Sequence, residues 1–321
     1  MGELVANSPA SVTAASELLN RSDVAIVQHE YGIYGGTDGD DVVDVIAGLG
    51  VPSIVVAHTV LNDPTAHQRS VLEAIAAMAD QMVVMSDAAS RRLCRGFDVD
   101  PAKVTTISHG AYVPPPTLAS SAQGRPTLLT WGLLGPGKGI ERVIDAMVSL
   151  KDLPAQPRYL VAGRTHPKVL AADGEAYRHA RVDQARRRGV HGSVFFDADY
   201  RDVASLSRLA QSAAVVVLPY DSTDQVTSGV LVDAIATGRP VVATAFPHAV
   251  ELLGSGAGVV VDHDDPDALA AALHRVLTEP DVAASMSAEA ARLAPAMAWP
   301  IVAKGYLGLA RSLLSERSAL V

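Results

Sequence analysis

The sequence is poor in several things at once. It has one cysteine, Cys94, in 321 residues, which excludes an internal disulfide and a Cys-rich zinc site and suits a reducing cytoplasm. Aromatic residues make up only 4%, so the core must be built from Ala, Val, Leu and Ile. Cations are outnumbered, 26 Lys and Arg against 35 Asp and Glu for a net charge of −9, which argues against a nucleic-acid binder whose affinity comes from phosphate neutralisation. No apolar run approaches the roughly 20 residues that a membrane-spanning helix needs. The opening MGELVANSPASV has neither a basic start nor an apolar stretch, so it does not read as a signal peptide. The expectation is a cytoplasmic protein with no integral membrane segment, with peripheral association at the inner membrane face left open. What the chain does have is 49% hydrophobic residues, too many for a disordered chain.

Those residues fall into short β-branched runs that alternate with longer helical stretches. Strands are predicted over 24–28, 53–57, 82–85, 104–107, 127–131, 158–162, 193–197, 214–218, 240–243 and 258–261. Several are continuous apolar runs, as in strands buried on both faces of a parallel sheet. Between them, Ile140, Val143, Ile144 and Met147 keep the i, i+3, i+4, i+7 spacing of a helix, and Val71, Leu72, Ile75, Ala76 and Ala79 do much the same. The pattern predicts an α/β, doubly wound fold. One stretch, 112–126, holds four prolines and no periodicity and reads as a linker. The expected division is an amino-terminal lobe over 1–112, a linker over 113–126, a carboxy-terminal lobe over 127–298 and a final helix over 299–321.

Two segments suggest chemistry. Gly132-Leu-Leu-Gly-Pro-Gly-Lys-Gly139 follows a predicted strand and opens a helix. Glycines let the backbone approach a ligand, a helix start offers free N–H groups, and Lys138 adds a mobile charge, which together suit a phosphate or diphosphate. The spacing meets most of the P-loop motif, but Gly139 stands where that motif needs Ser or Thr to hold Mg²⁺. A plain strand–helix turn with a solvated lysine is the alternative. In the second segment, 220–229, Thr227, Ser228 and Gly229 would present N–H groups at another helix start, with Gln225 and Asp233 eight residues apart; the alternative is an ordinary capped helix. His58, His29-Glu30, Arg164 and His166 all lie at predicted strand ends, where α/β sheets bind ligands. The acidic run 262–267 has a metal-loop composition, but Pro266-Asp267 opens a helix there, so capping accounts for it and no metal site is expected.

Taken in order, QHEYGIYGG, VVAHTVL, VTTISHGAYVP, LLTWGLLGPGKGIERVIDAM and DQVTSGVLVDAIATGRPVVAT resemble the segments of the retaining GT-B glycosyltransferases of family 4 (glycosyl transferases group 1), over nearly the whole chain. The resemblance implies two Rossmann-like lobes with a cleft between them, an acceptor-binding amino lobe, a nucleotide-sugar-binding carboxy lobe and a final helix that returns to the amino lobe. It implies a metal-independent hexosyltransferase that moves a sugar from a nucleoside-diphosphate sugar to a hydroxyl of a glycan or lipid-linked acceptor with retention. No cofactor beyond that donor substrate is implied. Carried over residue by residue, donor binding falls to Gly132, Gly137, Lys138, Arg164, Gln225, Thr227, Ser228, Gly229 and Asp233, catalysis to His58, Lys138 and Gln225, and the acceptor side to His29, Glu30, His58 and His109. Three positions depart from the family pattern: Gln225 and Asp233 replace the two glutamates of E-x7-E, and Leu133 stands where an arginine is frequent. A sugar-nucleotide epimerase or hydrolase on the same frame, and a catalytically degenerate sugar-nucleotide binder, remain as alternatives. Only four strands are predicted in the amino lobe against six in the carboxy lobe, so the amino lobe is expected to lack its first strand–loop–helix unit, and self-association to cover that gap is left open.

Overall fold

The strand–helix alternation is realised as two compact units, one of residues 1–109 with 300–321 and one of residues 110–299. The computed structural model describes residues 2–115 and 124–319. Most of the proline-rich linker, 116–123, therefore lies outside the described residues.

The amino-terminal unit runs α1 (Pro9–Leu19), β1 (Ala25–His29), α2 (Asp41–Ala47), β2 (Ser53–Ala57), α3 (Ala66–Met78), β3 (Gln81–Val84), α4 (Asp87–Gly96) and β4 (Val104–Thr106). Helix starts follow local chemistry: Ser8 accepts the Ser11 N–H with Pro9 in the first turn, and Thr65 and Gln68 form a reciprocal capping box. The four strands are parallel in the order β1-β2-β3-β4. β2 is buried along its whole length, so both its faces need cover. On one of them Ile54, Val56, Val83 and Met85 pack with Tyr306, Leu309, Ala310 and Leu313 of the last helix, Trp299–Ala319. β1 is different: it alternates, with Val27 buried and Ile26 46% exposed.

The carboxy-terminal unit contains β5 (Thr127–Trp131), α5 (Ile140–Leu150), β6 (Arg158–Ala162), α6 (Pro167–Asp173), α7 (Ala176–Arg187), β7 (Val194–Asp197), α8 (Val203–Ser212), β8 (Val215–Leu218), α9 (Gly229–Ala236), β9 (Val241–Thr244), α10 (Pro247–Leu253), β10 (Gly258–Val261), α11 (Pro266–Thr278) and α12 (Pro280–Met297); the returning helix is α13. Successive strand residues face opposite sides, and the sheet accordingly has two cores. Leu129, Trp131, Val216 and Leu218 enter one, and Leu128, Val215, Val217 and Val242 the other. All strands are parallel, in the order β10-β9-β8-β5-β6-β7. The order therefore reverses at β5, which pairs with both β6 and β8. Open α/β sheets bind ligands outside the carboxyl ends of the strands at such a reversal.

Candidate functional site

The loops that leave β5 and β8 flank that switch point and are tied together. The Asp221 N–H donates to the Gly137 carbonyl at 3.0 Å, and Arg142, on α5, pairs with Asp221 at 2.9 Å. Gly139, the N-cap of α5, has φ of +64°, and a Cβ there would lie 1.6 Å from the Pro219 carbonyl oxygen. That contact explains why neither Ser nor Thr can stand at position 139: the P-loop hydroxyl is excluded by backbone geometry, and the reading of this loop as a Mg²⁺-holding P-loop falls with it. Gly163 is a second obligatory glycine, because a Cβ would lie 1.9 Å from the Gly132 carbonyl oxygen. The close approach aligns the loop after β5 with that after β6, where Leu134 donates to Arg164 and His166 donates back to Leu134, both at 2.8 Å.

Lys138 is half-buried, with Nζ 4.5 Å from the centre of the Tyr220 ring. Burial lowers its pKa, since desolvation disfavours the charged form. An incoming anion would restore the balance. Tyr220 itself is buried and stacks on Phe246 at 5.3 Å, so the aromatic support under Lys138 is rigid.

At α9 the amides are not equivalent. The Ser228 hydroxyl caps the Leu231 N–H at 3.2 Å, and the Ser228 N–H donates to Nδ1 of buried His248 at 2.9 Å. Ser228 therefore does not offer its amide to a ligand, contrary to the expectation from sequence. The amides of Gly229 and Val230 have no carbonyl four residues back within the helix. Gln225 turns into its own loop, with Nε2 donating to the Thr227 carbonyl at 3.0 Å. Asp233 lies half-buried on α9.

Beside Gly132 the ends of β5, β6 and β7 enclose a cavity of about 190 Å³ lined by Trp131, Leu133, Arg164, Tyr200, Arg201 and Leu206. The Arg164 guanidinium lies 5.6 Å from the Tyr200 ring centre. Tyr200 is 77% exposed, a large aromatic surface at a strand end with room for a planar ligand. Sequence reading passed over Tyr200, Tyr220 and His248. Tyr200 and Tyr220 lie three and two residues past the ends of β7 and β8, within reach of the strand-end rule, whereas His248 is found only through its packing. His166 is an N-cap, its Nδ1 accepting the Lys168 N–H at 3.1 Å.

In the amino-terminal unit the ends of β1 and β2 meet. His58 donates its backbone N–H to the His29 carbonyl at 3.0 Å, and its Nε2 lies 2.7 Å from Gln28 Oε1. Both ring nitrogens of His29 are buried without a hydrogen-bond partner. Burial, with His58 beside it, pushes the His29 pKa down to about 4. His58 is also lowered, first by burial and then by His109, against a smaller opposing effect of Glu30. Glu30 accepts the Thr59 hydroxyl on Oε2 and the Tyr31 N–H on Oε1.

Among the described residues no three His, Cys, Asp or Glu side chains converge to hold a metal ion, and no helix is long and apolar enough to cross a membrane. In the acidic run 262–267, Asp265 caps α11 by accepting the Ala268 N–H at 2.8 Å.

Residues 125–279 match the family model described as Glycosyl transferases group 1. Among curated proteins, the chain is similar to the D-inositol 3-phosphate glycosyltransferase of Kineococcus radiotolerans, 29% identical over 75% of this chain and 59% of that protein. It is likewise similar to that of Corynebacterium urealyticum, 28% identical over 73% and 57%. It thus spans less than two thirds of their length. Among solved structures it is similar to sucrose-phosphate synthase from Thermosynechococcus elongatus, with a TM-score of 0.78 at 21% identity over 96% of this chain and 78% of that one. HepE from Anabaena, solved with UDP, superimposes with a TM-score of 0.76 at 16% identity over 94% and 82%. The carboxy-terminal unit therefore carries the sequence pattern of the glycosyl transferases group 1 family, and the chain has the fold of the two-lobe GT-B glycosyltransferases.

Proposed function

We propose that the protein transfers a hexosyl group from a nucleoside-diphosphate sugar to an acceptor hydroxyl with retention at the anomeric carbon. The observation that carries this reading is the pair of interlocked loops at the switch point of the carboxy-terminal sheet, within the segment that matches the glycosyltransferase family. The diphosphate would lie against Lys138 and the Gly229 and Val230 amides, and the nucleoside in the cavity beside Arg164 and Tyr200. Asp233 would take the ribose, and Gln225, whose Nε2 is held by the Thr227 carbonyl, would offer the sugar only its Oε1. The resemblance assigns the acceptor to the strand ends carrying His29, Glu30, His58 and His109.

In the step, the acceptor oxygen bonds to the anomeric carbon as the bond from that carbon to the phosphate oxygen breaks, and the acceptor proton passes to the departing phosphate. Negative charge grows on that phosphate, where Lys138 and the helix-start amides are already oriented, so little reorganisation is needed. No residue of the donor site supplies a carboxylate nucleophile in this scheme. His58, with Nε2 toward Gln28, retains Nδ1 as an acceptor for a hydroxyl.

The test is a melting-temperature panel with UDP-, GDP- and ADP-sugars, followed by transfer of radiolabelled sugar from whichever donor stabilises the chain. Label appearing on an added acceptor, with or without EDTA, supports the reading. Label isomerised or released to water without an acceptor would indicate an epimerase or hydrolase. Stabilisation with no turnover would indicate a binding protein. Dependence on Mg²⁺ or Mn²⁺ would remove metal independence from the proposal.

A further inference from the structure

The end of the amino-terminal sheet is electrostatically one-sided. Glu30 follows β1 and is clamped across to the residue pair that follows β2: Thr59 donates its hydroxyl to one carboxylate oxygen, and the Tyr31 N–H donates to the other at 3.1 Å. Asp38 joins it from the loop before α2. Burial, Glu30 and Asp38 together push the Tyr31 hydroxyl up to about 12, against a smaller opposing effect of Arg69.

The nearby basic side chains are already engaged. The Arg69 guanidinium bonds the Gly96 carbonyl, pairs with Glu73 at 3.4 Å and lies 4.9 Å from the centre of the Phe97 ring. Arg92 donates to the Val60 carbonyl at 2.9 Å. His67 is bound to Asp38 at 3.0 Å and to Asp40 at 3.4 Å. The two histidines at the strand ends add little positive charge near neutral pH, because His29 titrates near 4 and His58 is lowered as well.

We infer that Glu30, supported by Asp38, makes this surface a subsite for acceptors without a phosphate, a neutral sugar or polyol, and that it turns phosphorylated acceptors away. The inference rests on the reading of these strand ends as the acceptor side. It separates this chain from the relatives named for D-inositol 3-phosphate. A carboxylate held in place by two hydrogen bonds cannot swing aside, so an acceptor phosphate would meet a fixed like charge, and such juxtapositions serve as negative selection at binding sites. A neutral hydroxyl can still hydrogen-bond to the second lone pair of each Glu30 oxygen.

The experiment is calorimetric titration of the full chain, with saturating nucleoside diphosphate, using D-inositol 3-phosphate as the probe. The wild-type protein should show no saturable binding at millimolar probe. Glu30→Gln can keep the contact from the Tyr31 N–H on its one amide oxygen, while its Nε2 donates to the Thr59 hydroxyl oxygen; it removes the charge and should gain binding by about tenfold or more, the scale of removing one like-charge contact. Asp38→Asn should give a smaller gain and serves if Glu30→Gln fails to fold. Submillimolar binding by the wild type would overturn the inference, as would two folded variants that bind no better than wild type. Failure of the nucleoside diphosphate itself to bind would count against the donor site in the other unit, while the comparison of wild type and variants would still decide the role of Glu30.

Discussion

The two units use the same strand–helix alternation to different ends. In the carboxy-terminal sheet the strand order reverses at β5, and the frame of the crevice is main chain: glycines, helix-start amides and two loops joined by a backbone hydrogen bond, with the Arg142–Asp221 pair beside it. The four described strands of the amino-terminal unit run in one order without a reversal. The character of their carboxyl ends comes from side chains, namely two low-pKa histidines and a clamped glutamate. A site built from main chain is recognisable across distant sequences. One built from side chains can change its ligand with one substitution.

The sharpest way to break the comparison is Gly139→Ser. If the carboxy-terminal site is set by backbone, the hydroxyl that a P-loop would welcome should be damaging here. A left-handed non-glycine residue and the overlap with Pro219 together suggest a loss of about 2–5 kcal/mol, measurable by denaturant unfolding. Unchanged stability would mean that the two loops are less tightly locked than the structure shows.

His29 probes the side-chain-built unit. Burial pushes its pKa in the native chain to about 4, below the ordinary histidine value of 6.5. Between those values the unfolded chain binds a proton that the native chain does not, so stability falls as pH falls through that window. The effect reaches about 3 kcal/mol at its lower end, at 1.36 kcal/mol per pH unit. His29→Gln should flatten the difference between unfolding at pH 7 and at pH 4. An equally steep fall in the variant would place the acid sensitivity elsewhere.

Lys138→Ala should leave folding intact and weaken nucleoside-diphosphate binding by about 1.5–3 kcal/mol, the usual value of a charge-assisted contact. Calorimetry showing unchanged affinity would remove Lys138 from the donor site. The smallest effect is expected at Ile26→Thr, on the exposed face of β1, where the change in stability should stay within about 0.5 kcal/mol. A loss several times larger would show that this face is covered in solution.

Much of this was legible in the sequence. All ten predicted strands are present within one or two residues, because continuous apolar runs bounded by Gly, Pro and Asp leave few alternatives for a buried parallel strand. The glycines at 132, 137 and 139 and the lysine between the last two marked the loop after β5, because close backbone approach and a mobile charge before a helix are a local pattern. What sequence did not reveal was which groups are already spent. Gln225 and Ser228 were expected to face a ligand, yet the first bonds its own loop and the second gives its amide to His248, twenty residues away. The Ser228 pairing depends on how α10 packs beside α9, which no local pattern encodes, and the Gln225 bond on the exact path of its own loop. The unpartnered nitrogens of His29 were equally hidden, because burial of a single histidine is a tertiary property.

The return of α13 to the first unit has a consequence for synthesis. Residues 300–321 complete a unit whose remainder ends at residue 109, so the whole of the second unit, residues 110–299, is made in between. At typical elongation rates of about 5–20 residues per second, that interval lasts roughly 10–40 s. Throughout it, the face of Ile54, Val56, Val83 and Met85 has no α13 to cover it, so the unit begun before the other is finished only after it.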